Sequence, residues 1–130
     1  MTYDSNAVWY LAHSLATDEH YTYEQNMDHV LVVARLLVDA GIRVIAPWHT
    51  LCLALDDDNP EHRRVGIEID CYVAAELRKI ILTGHKLSRG MTKERDAVLV
   101  RKGYVLNLVG VKDKFLAETT LTMLLEFMQV

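Results

Sequence analysis

Read for apolar and polar positions, the chain alternates between short unbroken apolar runs and longer stretches of helical periodicity. Ala7-Val8-Trp9-Tyr10-Leu11-Ala12 has no polar residue to turn outward, which suits a strand buried on both faces, and it breaks into a polar loop at 13–21. Thr22 followed by Gln25 has the form of a capping box. Met27, Val30, Leu31, Ala34, Leu37 and Val38 then recur at helical spacing until Gly41 ends the element. Residues 42–46 form a second strand stopped by Pro47, and 48–58 a loop or short helix closing on Asp56-Asp57-Asp58. Asn59-Pro60-Glu61 supplies a cap, a proline at the first helical position and a first-turn acid, launching a helix to about Arg78.

The pattern continues with a strand at 80–83, a loop at 84–89, a helix over 90–102 closed by Gly103, a strand at 104–109 and a last amphipathic helix from about Lys114 to Met128. Short apolar strands alternating with helices predict a single-domain α/β fold. A doubly wound parallel sheet of four or five strands, flavodoxin-like or Rossmann-like, follows from right-handed crossovers.

Composition narrows the function classes. At 130 residues, 51% hydrophobic, the chain suits one domain with one core. Fourteen Lys and Arg against eighteen Asp and Glu, net −4 and without long charge blocks, argue against a nucleic-acid polymer as partner. No apolar run reaches the roughly 18 residues of a membrane span, and Met1-Thr2-Tyr3-Asp4 lacks the basic start of a signal peptide, so the expectation is a cytoplasmic protein with no membrane partner. Cys52 and Cys71 stand in apolar surroundings without CxxC spacing and read as reduced core thiols.

In open parallel sheets ligands sit beyond the carboxyl ends of the strands. Here that edge gathers the loops at 13–21, 48–58 and 84–89. The third feeds a helix whose free N–H groups form an anion site, with Ser88 and Gly90 permitting close approach. Glu94 lies one turn on, among the stripe Met91, Ala97 and Val98, where the helix dipole is expected to keep it ionised as a nucleophile. Asp70, with Gly66 and Ala74 four residues to either side, is the second carboxylate of a groove. Two such acids can divide nucleophile and acid roles, or be surface acids on amphipathic helices. His13, His49 and His85 each follow a strand, but nothing in their spacing demands a metal, and none is expected. The acidic triplet reads as a solvated turn. Leu121, Met123, Leu124, Leu125, Phe127 and Met128 exceed one core-facing stripe, which suits cover by another subunit.

Ser88-x-Gly90-x-x-x-Glu94, preceded by a strand and by a helix carrying Asp70, with Tyr10 in the first strand, resembles the nucleoside 2-deoxyribosyltransferase-like superfamily. The likeness is to its small branch in which an SRG-x-x-x-E stretch follows the third strand, and it spans roughly residues 7 to 110. The resemblance implies a nucleoside or nucleotide N-glycosidase or 2-deoxyribosyltransferase that needs no cofactor. Glu94 would attack C1′, Asp70 would contact or protonate the departing base, Tyr10 would orient Glu94, and Ser88 would bind a 5′-phosphate, with Arg89 adding charge. It also implies a homodimer or larger assembly. Where relatives carry a Gly-rich turn after strand one, this chain has Ala12-His13-Ser14-Leu15, so His13 narrows the pocket or replaces backbone contacts. Trp48 and His49 offer a stacking surface or a packed lid. The Pro-Gly-Gly-x-Gly-Thr loop of the cytokinin-activating phosphoribohydrolases is absent. A domain that binds a nucleotide-like ligand without turnover is the alternative from a different class.

Overall fold

The computed structural model of the protein describes residues 6–128. The tetrapeptide Met1-Thr2-Tyr3-Asp4 lies outside the described residues, as do the side chains of Phe127 and Met128. The elements are β1 (Val8–His13), α1 (Tyr23–Asp39), β2 (Arg43–Ile45), α2 (Pro47–Ala54), α3 (Pro60–Leu77), β3 (Lys79–Thr83), α4 (Arg89–Val100), β4 (Tyr104–Asn107) and α5 (Asp113–Met128). The four strands pair in parallel in the order β2-β1-β3-β4, the doubly wound arrangement the sequence predicts. The chain leaves β1 for β2 on one side and returns past it to β3 on the other, so the order reverses between β1 and β3. The helices accordingly divide into two packed pairs, α1 with α5 and α3 with α4.

Trp9, Tyr10, Leu11, Ile80, Ile81 and Leu82 are almost completely buried, which is why β1 and β3 read as unbroken apolar runs. Each such side chain contributes about 1.5–3 kcal/mol of burial. Alternation along β1 aims Tyr10 at α4, where it bonds Glu94, and His13 at α1, where it meets His29. This parity divides the edge of the sheet into two sites.

Several boundaries differ from the periodicity, each for a local hydrogen bond. Ile42 leaves the second strand because its N–H closes the end of α1 on Leu37 O, 2.9 Å away. The fourth strand stops at Asn107, whose side chain takes the Val109 N–H at 3.0 Å. The ambiguous stretch after Pro47 is helical, with Pro47 in its first turn. α3 ends on Arg78 in the left-handed conformation, and Gly103 lies so close below it that a Cβ would meet Arg78 O at 2.3 Å.

The cysteines correct the expectation of core thiols. Cys52 is exposed and Cys71 half-buried, and both are free. On the short α2 only Trp48 is buried, so the helical turn that inserts the indole carries Cys52 toward a groove. No described helix is long and apolar enough to cross a membrane.

Candidate active site

α4 starts at Ser88, whose hydroxyl accepts the Met91 N–H at 3.2 Å. From that start the helical repeat turns Met91, Glu94 and Val98 onto the buried face. Glu94 is only 8% exposed, and its Oε2 accepts the Tyr10 hydroxyl from β1. A carboxylate on the core stripe is therefore held against the sheet by a phenol. Asp70 enters from α3. Its Oδ1 is buried and has no hydrogen-bond partner among the described residues.

Asp70 and Glu94 line one cleft of about 360 Å³ together with His13, Trp48, Cys71 and the turn of Ser88, Arg89 and Gly90. A second hollow of about 600 Å³ between α2 and α3 shares Leu15, Trp48, Cys52, Ile67 and Asp70 with it, so Asp70 stands where the two join. Gly66 opens this hollow as the spacing suggested, whereas Ala74 is spent in the core.

The electrostatics overturn the expectation that Glu94 is kept ionised by the helix dipole. Burial, opposed by the Tyr10 hydroxyl and aided by Asp70, pushes its carboxyl up to about 8. The physical reason is position: Glu94 lies beyond the first turn, where the dipole fades, and inside the core, where desolvation dominates. Burial alone lifts Asp70 to about 7. The Tyr10 phenol is pushed far above its ordinary range, by burial first and then by Glu94, so it remains a donor. Near neutrality the pair shares protons, one carboxyl able to give what the other lacks.

The remaining predicted residues divide. Arg89 and Gly90 are exposed at the mouth, and a Cβ on Gly90 would meet open space. Ser88 accepts the Met91 N–H at the cap and has its O–H free to donate. Trp48 is buried and gives its indole N–H to Leu11 O at 2.7 Å, so it braces the wall. His49 packs edge-on against Trp48 and lines neither hollow. Ser14 is wholly buried beyond β1, its hydroxyl 3.4 Å from His85 Nδ1. His13, 4% exposed, gives its Nδ1–H to Ser14 O and faces α1 with Nε2. The three loop histidines do not converge, and no group of three or more His, Cys, Asp or Glu among the described residues could hold a metal ion.

Sequence reasoning missed Ile67, Cys52 and Cys71 in the cleft wall. It also missed a row of groups on the other side of His13, where His29 and Asp113 meet although 84 positions apart. No local signal marks a pairing at that separation.

The profile of a Domain of unknown function (DUF7768) matches residues 9–105. The chain belongs to the DUF7768 family. The matched span runs from β1 into β4, so Tyr10, Asp70, Ser88 and Glu94 fall inside the DUF7768 domain and α5 outside it. A search of curated proteins and a search of solved structures gave no match.

Proposed function

We propose that this DUF7768 chain is a nucleoside or nucleotide N-glycosidase, acting by hydrolysis or by 2-deoxyribosyl transfer, with Glu94 as nucleophile. The observation that carries the reading is the junction of a phenol-bound, buried carboxyl and an unpartnered one in a single cleft. A Glu94 carboxylate oxygen forms the bond to C1′ as the C–N bond breaks, and the electron pair leaves with the base. Protonated Asp70 gives that nitrogen its proton, and the Tyr10 hydroxyl holds Glu94 in line for attack. Water, or a second base, then adds to C1′, releases the Glu94 carboxylate and returns a proton to Asp70. The open end of α4, with Arg89 and Gly90 beside it, suits a 5′-phosphate. Neither a metal nor a cofactor enters these steps.

Only the form with Glu94 ionised and Asp70 protonated is productive. Because Asp70 loses its proton at about 7 and Glu94 at about 8, base release follows a bell whose maximum lies between those values. The test incubates the chain with nucleosides and their 5′-monophosphates and measures free base by chromatography across that pH range. Release that disappears in Glu94→Gln supports the reading. A silent panel with correctly folded protein contradicts it.

A second reading rests on the largely neutral Glu94 and on His13 at the end of β1, which lines the cleft: the same cleft binds a nucleotide-like ligand without turnover. It predicts a ligand-induced rise in melting temperature with no base released. Both readings place the protein in the cytoplasm. Exposed Leu121 and Leu125 on α5 and Leu31 and Val32 on α1 support a homodimer or larger assembly.

A further inference from the structure

On the α1–α5 side of His13 a separate cleft of about 640 Å³ opens at the same edge of the sheet. β1 contributes His13, α1 contributes His29, the loop after β3 contributes Gly84 and His85, and the turn after β4 contributes Gly110, Lys112 and Asp113. Gly84, at φ +96°, has no room for a side chain, since a Cβ would meet Ser14 Oγ at 2.5 Å. Gly110, at φ +83°, faces open space.

The hydrogen bonds in this cleft occupy its one acid. His13 Nδ1 lies 2.6 Å from Ser14 O, His13 Nε2 lies 2.7 Å from His29 Nδ1, and His29 Nε2 lies 2.8 Å from Asp113 Oδ1. Burial lowers His13 to about 4, so the inner imidazole of this row is neutral. Asp113 accepts from His29 and stands against two lysines, Lys112 and Lys114, of the same cleft. Asp18, farther along the rim, is saturated by His85, by Lys86 at 3.3 Å and by the backbone N–H groups of His20 and Tyr21. Lys112 has no ion pair among the described residues, and Lys114 lies over the Phe115 ring rather than on an acid. With Asp18 paired to Lys86, the cleft is left with two lysines against the single carboxylate of Asp113, and its balance is positive. The Tyr21 and His85 rings, 4.8 Å between centres and tilted 52° to each other, form a polarisable corner at its mouth against which one face of a flat ring can lie.

We propose that this cleft is a second ligand site, distinct from the Glu94 cleft, that takes a phosphorylated small molecule bearing a flat ring. The phosphate sits among Lys112, Lys114 and His29, and the ring lies against Tyr21 and His85. Asp113 is the group the phosphate must compete with, since both seek the His29 Nε2–H. The site stands independently of any glycosidase activity.

Inorganic phosphate and phenyl phosphate, neither of which has a glycosidic bond, are titrated into the whole chain and followed by amide resonances. Both are expected to shift Gly84, His85, Gly110 and residues 112–114 saturably, with phenyl phosphate the tighter ligand. Lys112→Glu with Lys114→Glu weakens both by about tenfold, and Asp113→Asn tightens both severalfold by removing the competing carboxylate. The opposite signs of these two variants keep the test decisive if one of them folds poorly. Absence of saturable shifts in this cleft, shifts confined to residues 88–91, or weaker binding by Asp113→Asn overturns the proposal.

Discussion

The two clefts share His13 and one edge of the sheet, yet they treat charge in opposite ways. In the α1–α5 cleft the acids are engaged: Asp113 meets His29, and Asp18, beside Lys86, is held well below the usual carboxylate range, first by His85 and then by the backbone N–H groups of Tyr21 and His20. On the α3–α4 side Glu94 has only a phenol, Asp70 Oδ1 has no partner, and both carboxyls are driven upward by burial. The same residue type at the same end of the sheet is thus made a fixed anion in one place and a proton carrier in the other. Partner count and water access decide between them. The second arrangement costs stability, as chemically poised sites commonly do.

The comparison is most strongly tested by neutralising the Glu94 side. Glu94→Gln is expected to lower base release by about a thousandfold or more, and Asp70→Asn by about a hundredfold, because the first removes the nucleophile and the second only the proton. Equal losses of a few fold in both would erase the distinction in roles. Tyr10→Phe comes next, with a loss of roughly ten- to a hundredfold. Its phenol favours the ionised Glu94, so removing it raises the higher of the two values: the falling limb of the pH profile moves to higher pH and the maximum drops, while the rising limb stays with Asp70. A falling limb that stays in place would show the hydroxyl is idle.

Stability should respond in the opposite direction from activity. Glu94 and Asp70 have folded values of about 8 and about 7 against unfolded values of 4.5 and 3.8, so each binds its proton more tightly when folded. Their stabilisation is complete below about pH 4 and is lost as pH rises toward 8. Glu94→Gln should therefore stabilise the chain by on the order of 2 kcal/mol near pH 7 and by little near pH 4.5, read from denaturant melts at both pH values. A gain that does not grow with pH contradicts the burial account. The smallest expected effect is at the helix start. Ser88→Ala removes a cap and costs about 1 kcal/mol, and if its O–H also meets a phosphate, KM rises for monophosphates but not for free nucleosides.

Much of this architecture is legible in the sequence because it rests on local rules. Unbroken apolar runs mark β1 and β3, Thr22 with Gln25 and Asn59 with Pro60 mark helix starts, and Glu94 on the stripe with Met91 and Val98 marks the cleft. The ionisation of Glu94 is not legible in the sequence, because the dipole shows there whereas the depth of burial depends on the sheet beneath. The His13, His29 and Asp113 row was invisible for a related reason: its members come from β1, α1 and the start of α5, and only the tertiary fold unites them. His49 illustrates the converse, a residue in the right loop that one helical turn points away from the cleft.

The central claim is that burial in the Glu94 cleft, with no ion pair to either group among the described residues, raises the pKa of two carboxyl groups. Carboxyl-carbon resonances of labelled Glu94 and Asp70, followed from pH 3 to pH 10, read that claim without requiring a substrate. The account predicts titrations at about 8 for Glu94 and about 7 for Asp70, with the Glu94 midpoint rising further in Tyr10→Phe. Midpoints for both groups at the ordinary carboxylate value of about 4 would contradict it.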